Sequence, residues 1–163
     1  MHVEHVQRLP QWLRTAPRWL VWKRIPGRKL PISVRTGSGS GWQKPEAWAC
    51  FKDAVAAYKP GDHAGLGFVL GDGFVGVDFD GCLHPDGTIA QWAADQLCDL
   101  PDSAWLEVSP SGTGVKAILL STAPVRIKKV ELPFDAVGGK NPAIECYAKG
   151  RWFAVTGQGV ARG

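Results

Sequence analysis

Gly76-Val77-Asp78-Phe79-Asp80-Gly81 is the stretch that organises the chain. It follows an apolar run, Phe68-Val69-Leu70, and a turn at Gly71-Asp72-Gly73. With Phe74 and Val75 leading in, it reads as a strand. Side chains alternate along a strand, so Asp78 and Asp80 share one face, while Val75, Val77 and Phe79 take the other. Two carboxylates at i and i+2 on an otherwise apolar strand are costly to desolvate unless a cation sits between them. A divalent metal is the simplest such cation. The same pattern also fits two acids at a strand end, solvated by the turn that follows.

The charge around this stretch is segregated. Residues 1–60 hold eleven Lys/Arg against three Asp/Glu, residues 61–110 none against nine, and residues 111–163 eight against three. An acidic centre with two basic flanks suits a metal-assisted reaction on a polyanion; charges spread over solvated faces are the plainer alternative. The 163 residues suit a single domain over 1–163 with one sizeable core. No apolar run is long enough for a membrane span, and Met1 to Pro10 lacks the pattern of a signal peptide. A cytoplasmic protein is therefore expected, with no membrane partner. Cys50, Cys82, Cys98 and Cys146 are scattered without a Cys-x-x-Cys pair, which argues for free thiols rather than structural zinc. Most of the eight Trp are expected in the core, with one or two left to stack on bases.

Taken in order, Val6 to Leu13 reads as a short helix and Arg18 to Lys23 as a strand. Arg28-Lys29-Leu30 begins a second strand, cut short by Pro31. Gly37 to Gly41 is a flexible loop. Pro45 to Tyr58 reads as a helix with Trp48, Phe51, Ala54, Val55 and Tyr58 as its apolar stripe. Gly65–Leu70 and Phe74–Asp80 read as a hairpin. Thr88 to Leu100 reads as a helix, and Ala104–Val108 and Val115–Leu120 as strands. Ala143–Tyr147 and Arg151–Val155 read as a closing hairpin around Lys149-Gly150. Strand runs broken by a few helices predict an α+β fold.

Two further features carry chemistry. Ser109-Pro110-Ser111-Gly112-Thr113-Gly114 can aim backbone N–H groups and hydroxyls at one anion, although such a turn also serves as an ordinary hairpin loop. Lys116, just beyond it, adds a positive charge; it shares a strand face with Ile118 and Leu120, so it also fits a lysine reaching from a packed strand to solvent. In Ile144-Glu145-Cys146-Tyr147, Glu145 faces away from its apolar neighbours and would join Asp78 and Asp80 in a three-carboxylate site. Arg151 starts the next strand and is placed to meet a phosphate.

These motifs, GVDFDGC, SPSGTGVK and IECYAKGRWFAVTG, resemble those of the primase-polymerase domain of the archaeo-eukaryotic primase superfamily, of the phage and plasmid replication-protein type. The family patterns are GhDhDxC, SPSGTGhH and hExYxxGRFFxhTG, with h hydrophobic. The Arg18-to-Trp22 stretch and the segment around Trp48 also resemble the family's opening, so the likeness runs from about Gln11 to Gly157. It implies a two-lobed fold, an RRM-like sheet beside a smaller α/β lobe with the active site in the cleft. It implies DNA priming and polymerisation with two Mg²⁺ or Mn²⁺ ions on Asp78, Asp80 and Glu145. Ser109, Ser111, Gly112, Thr113, Gly114, Lys116 and Arg151 would hold the nucleotide's phosphates. Lys23, Arg24, Arg28, Lys29, Arg126, Lys128 and Lys129 would follow the template backbone. The implied partners are a single-stranded DNA template, a primer, an NTP or dNTP, and a helicase or helical region, in a bacterial or archaeal host cell. One position departs from the family: its second motif ends in His where this chain has Lys116, which keeps the charge and loses the imidazole.

Three rivals are weighed beside this. Val77-Asp78-Phe79-Asp80-Gly81 also resembles the nucleophile motif of haloacid-dehalogenase-type phosphatases, which need a Rossmann-like sheet and a later acidic pair; no such pair follows Asp102. A degenerate, non-catalytic nucleic-acid-binding module would account for Lys116. A purely structural role leaves the three acids unexplained.

Overall fold

The computed structural model describes residues 3–123, 125, 126 and 128–162; Ile127, within the basic run at 126–129, lies outside them. The chain is α+β, with two antiparallel sheets and few helices. It divides into two compact units. The first holds 1–70 and 150–157, the second 71–149 and 158–163.

In the first unit, helices α1 (Val3–Val6) and α2 (Gln11–Thr15) precede strands β1 (Trp19–Ile25) and β2 (Arg28–Ile32). The helix expected over 6–13 is thus two helices. Pro10 separates them because it has no N–H to donate to the turn before it. β2 runs through Pro31 rather than stopping at it. It is an edge strand, where a missing donor is tolerated. The helix expected over 45–58 is also interrupted. A 3₁₀ turn at Pro45–Ala47 gives way to extended backbone at Trp48–Cys50, where Ala49 bridges to Trp19, and only then does α3 (Phe51–Ala57) begin. β3 (Gly65–Val69) and β9 (Trp152–Val155) complete the sheet in the order β2-β1-β3-β9. Trp19, fully buried, meets Phe51 and Phe68 edge to face at 5.0 Å each. Gly67 must lack a side chain, because a Cβ there would lie 2.8 Å from the Trp152 ring.

In the second unit, β4 (Phe74–Asp80) lies at the centre of a sheet ordered β5-β6-β4-β8-β7. Its partners are β5 (Trp105–Val108), β6 (Val115–Leu120), β7 (Lys128–Glu131) and β8 (Ala143–Tyr147). One helix, α4 (Gln91–Cys98), buries Ala93 and Leu97 on the face formed by Val75, Val77, Phe79, Leu106, Val115, Ala117 and Leu119. That apolar face is what the alternation of β4 predicts. The sheet around Asp78 is antiparallel throughout, unlike the parallel Rossmann-like sheet a dehalogenase-type phosphatase requires.

The two hairpins expected at 65–80 and 143–155 are not formed. The turn at Gly71–Phe74 closes on a single bridge, and then the strands part. β3 pairs with β9 (Leu66 opposite Val155), and β4 pairs with β8 (Asp78 opposite Glu145). The two segments have exchanged partners, each contributing one strand to each sheet. A helix long and apolar enough to cross a membrane is absent among the described residues.

Candidate active site

The polar face of the second sheet carries a row of charge. Cross-strand register places Glu107 on β5 opposite Lys116 on β6, and Lys116 opposite Asp78 on β4. Asp78 in turn faces Glu145 on β8, and Glu145 faces Lys129 on β7. Directly opposed residues have Cβ atoms about 5 Å apart, so the acids and lysines are neighbours by construction of the sheet. Asp80, two residues along β4, adds a third carboxylate on the same face.

Each of the three expected carboxylates is held by its own lysine. Lys116 Nζ donates to Asp78 Oδ2 at 2.6 Å, with the two side chains only 8% and 14% exposed. Lys140 Nζ donates to Asp80 Oδ1 at 2.8 Å. Lys129 Nζ lies 3.2 Å from Glu145 Oε1, and the Tyr147 hydroxyl donates to Glu145 Oε2. The Lys129 ammonium is pushed above the ordinary lysine range by its hydrogen bond and charge attraction to Glu145. The Lys116–Asp78 pair is the most sheltered of the three. Removing one partner of such a pair typically costs about 3–5 kcal/mol.

Whether these residues suit a divalent cation is answered by two observations that pull apart. Asp78 Oδ1 is buried and has no hydrogen-bond partner, an expensive state for a carboxylate oxygen that an ion would relieve. The donors are all carboxylate oxygens, which suit Mg²⁺ or Mn²⁺. Yet among the described residues no group of three or more Asp, Glu, His or Cys is gathered in a metal-binding arrangement. Each of the three carboxylates instead lies within 3.2 Å of a lysine ammonium. The donor chemistry suits the ion, while the arrangement described pairs each donor with a lysine.

Ser109–Gly114 forms the loop of the β5–β6 hairpin, Val108 pairing with Val115 across it. Its hydroxyls form a chain: Ser109 Oγ to Ser111 Oγ at 2.8 Å, and Ser111 Oγ to Thr113 Oγ1 at 3.0 Å. The Thr113 carbonyl accepts from both Cys82 N and Leu83 N at 3.1 Å, tying the loop to the chain just after Asp80. Gly114 is required here. A Cβ would stand 2.4 Å from the Phe79 carbonyl oxygen, so only glycine lets the loop press against β4. Gly81 serves a parallel need. Its φ is +61°, and a Cβ would meet the Lys140 carbonyl at 2.5 Å. That close approach brings Lys140 to Asp80.

The remaining expected residues are dispersed. Arg151 belongs to the first unit, is exposed, and accepts from Leu70 N through its carbonyl. Lys23, Arg24, Arg28 and Lys29 form the β1–β2 hairpin, also in the first unit. Arg24 and Lys29 each lie 5.7 Å from the Trp22 ring centre. Arg126 and Lys128 are exposed, and Lys128 faces opposite to Lys129. Reading by motif missed Glu107, Lys140 and Tyr147. Glu107, fully buried and accepting from Trp105 Nε1 at 2.9 Å, alternates with apolar residues as Asp78 does, which was the available signal. Lys140 is in a loop and left none.

No family model matches the chain. Over 144 residues, 86% of its length, the chain is 31% identical to the DNA Primase-polymerase of Nitratiruptor phage NrS-1. It spans 19% of the length of that protein. The chain is thus related, over most of its own length, to part of a phage DNA primase-polymerase.

Proposed function

We propose that this chain is a primase-polymerase catalytic domain, performing metal-dependent, template-directed nucleotidyl transfer in phage or plasmid DNA replication. The observation that supports it best is Asp78. It is a sheltered carboxylate opposite a second carboxylate with one oxygen unpartnered, beside a hydroxyl-rich loop, in a chain related to a phage DNA primase-polymerase. In this reading Asp78, Asp80 and Glu145 hold two Mg²⁺ or Mn²⁺ ions. Bound there, the ions would lower the pKa of a primer 3′-hydroxyl and neutralise the triphosphate. The 3′-oxygen, its proton passed to water, would bond to the α-phosphorus as the bond from that phosphorus to the α,β-bridging oxygen breaks, and pyrophosphate would leave with the bridging oxygen. Ser109, Ser111, Thr113 and the backbone of 112–114 would cradle the phosphates, with Lys116 supplying charge. The β1–β2 hairpin, Arg126 and Lys128 contact single-stranded template; Lys129 is committed to Glu145 and is the weakest of these candidates.

A non-catalytic nucleic-acid-binding module is the second reading. It is favoured by the lysine on each carboxylate. Primer extension separates the two. With Mn²⁺ or Mg²⁺, a primed template should be extended, and an unprimed one used less well, because starting a chain means holding two nucleotides with no duplex to help. A helicase or helical region, in cis or in trans, would supply that help. Binding of single-stranded DNA with no incorporation under either metal would establish the second reading.

A further inference from the structure

The geometry points to Lys116 as a resident counter-ion of Asp78, one that competes with a divalent cation for this carboxylate and pairs with the nucleotide's phosphates once the cation has displaced it. This rests on the reading of Asp78, Asp80 and Glu145 as a cation site.

Three observations carry it. The Lys116 ammonium is 2.6 Å from Asp78 Oδ2 and nearly out of solvent, so it occupies the ground an ion would need. It stands in register between Glu107 and Asp78, with Glu145 next along. This charge therefore lies between two acids, Glu107 and Asp78, while Glu145 has Lys129, and it leaves Asp78 Oδ1 without a partner. A divalent ion brings two charges and can engage that oxygen, so it has a reason to win. The lysines on the neighbouring carboxylates differ in exposure: Lys140 is 47% and Lys129 56% exposed, so either can swing to water at small cost. Lys116, nearly out of solvent, cannot; displaced from Asp78, it stays beside an anion, either Glu107 across the register or a phosphate at the 109–114 loop. It leads directly out of the 109–114 loop, and its flexible four-carbon stem lets the ammonium shift toward a phosphate held there. Cation and triphosphate then bind with positive coupling through this one side chain.

The consequence is an effect of opposite sign on two ligands. Lys116→Met should bind Mn²⁺ alone about tenfold more tightly than wild type, since no ammonium has to be evicted. It should bind the Mn²⁺–deoxynucleoside triphosphate complex about tenfold more weakly, since the phosphates lose a cation. Titration calorimetry of each ligand against the whole chain reads both. Lys140→Met, at a more exposed pair, should change the affinity for Mn²⁺ alone by less than about threefold. If Lys116→Met does not fold, Lys116→Gln removes the charge while keeping a hydrogen-bond donor, and it should show the same two signs. Asp78→Asn should abolish Mn²⁺ binding in every background. Mn²⁺ affinity unchanged or weakened in Lys116→Met, with Asp78→Asn still abolishing binding, would overturn the counter-ion role and leave the cation site standing. No Mn²⁺ binding by wild type or any variant would remove the cation site itself, and this inference with it.

Discussion

The two sheets are both antiparallel, and they use their faces differently. In the first unit, β3 is buried at all five positions. Trp19, Leu20 and Phe68 are fully buried, with apolar packing on both faces. In the second, β4 alternates, and only one face is given to apolar packing against α4. The other face carries Glu107, Lys116, Asp78, Glu145 and Lys129 in register. Leu or Val at those positions would stabilise such a sheet more simply, because sheltered charge pairs rarely outperform apolar packing. In the proposed reading that row belongs to the chemistry, while the core of the first sheet serves stability.

The strongest way to break that contrast is to exchange the kinds of effect. Asp78→Asn should lower metal-dependent nucleotide incorporation by on the order of 10³-fold, the several kcal/mol an ion contributes. Single-stranded DNA binding should change little. Trp19→Ala should cost about 3–5 kcal/mol in urea unfolding, through the cavity left between Phe51 and Phe68. Under conditions where it remains folded, its Mn²⁺ affinity should match wild type. Undiminished incorporation by Asp78→Asn, or a Trp19→Ala effect on Mn²⁺ binding with folding intact, would dissolve the distinction.

Much of this was legible in residue order. The alternation of Val75, Val77 and Phe79 against Asp78 and Asp80 correctly assigned the two faces of β4. The Ser109–Gly114 loop and the strand carrying Lys116 were found where expected. Pairing beyond the β5–β6 hairpin was not legible. Gly71-Asp72-Gly73 and Lys149-Gly150 are good turn signals, and turn chemistry is local. Which strands then pair depends on partners some 70 to 90 residues away, which no local pattern encodes. The exchange of β3–β4 and β8–β9 for β3–β9 and β4–β8 is that failure. Helix ends failed for a related reason: Trp48 has helical spacing, but the bridge from Ala49 to Trp19 holds the chain extended.

A smaller perturbation sharpens the contrast from the loop side. Gly114→Ala should cost about 1–3 kcal/mol, because the methyl meets the Phe79 carbonyl and the loop or β4 must shift. Nucleotide affinity should fall with it, since the loop is displaced from Asp80. At Gly67→Ala the same clash falls on the Trp152 ring, in the sheet assigned to stability. Unfolding should then shift without any change in nucleotide affinity. Equal effects of the two substitutions on nucleotide titrations would contradict the division of labour.

The smallest expected effect concerns the cations themselves. In the second unit the Lys129 ammonium is stabilised by a carboxylate. In the first, the basic hairpin lies near His63, whose pKa is lowered from 6.5 by burial first, then by Lys23 and Lys59, with Asp62 opposing. Neutral His63 also accepts from Lys59 N through Nδ1 at 3.2 Å, a bond the protonated ring cannot make. The folded state therefore prefers the neutral ring. That contribution is fully present above pH 6.5 and is lost as pH falls through the lowered value. Proton NMR should follow the titration directly, and Lys23→Gln should move the midpoint back toward 6.5. The informative measurement adds single-stranded DNA. If the hairpin holds template phosphates, their charge offsets Lys23, and the His63 midpoint should rise on binding, less so at high salt. A midpoint indifferent to saturating DNA would place the template elsewhere and leave the hairpin's lysines and arginines as solvated surface.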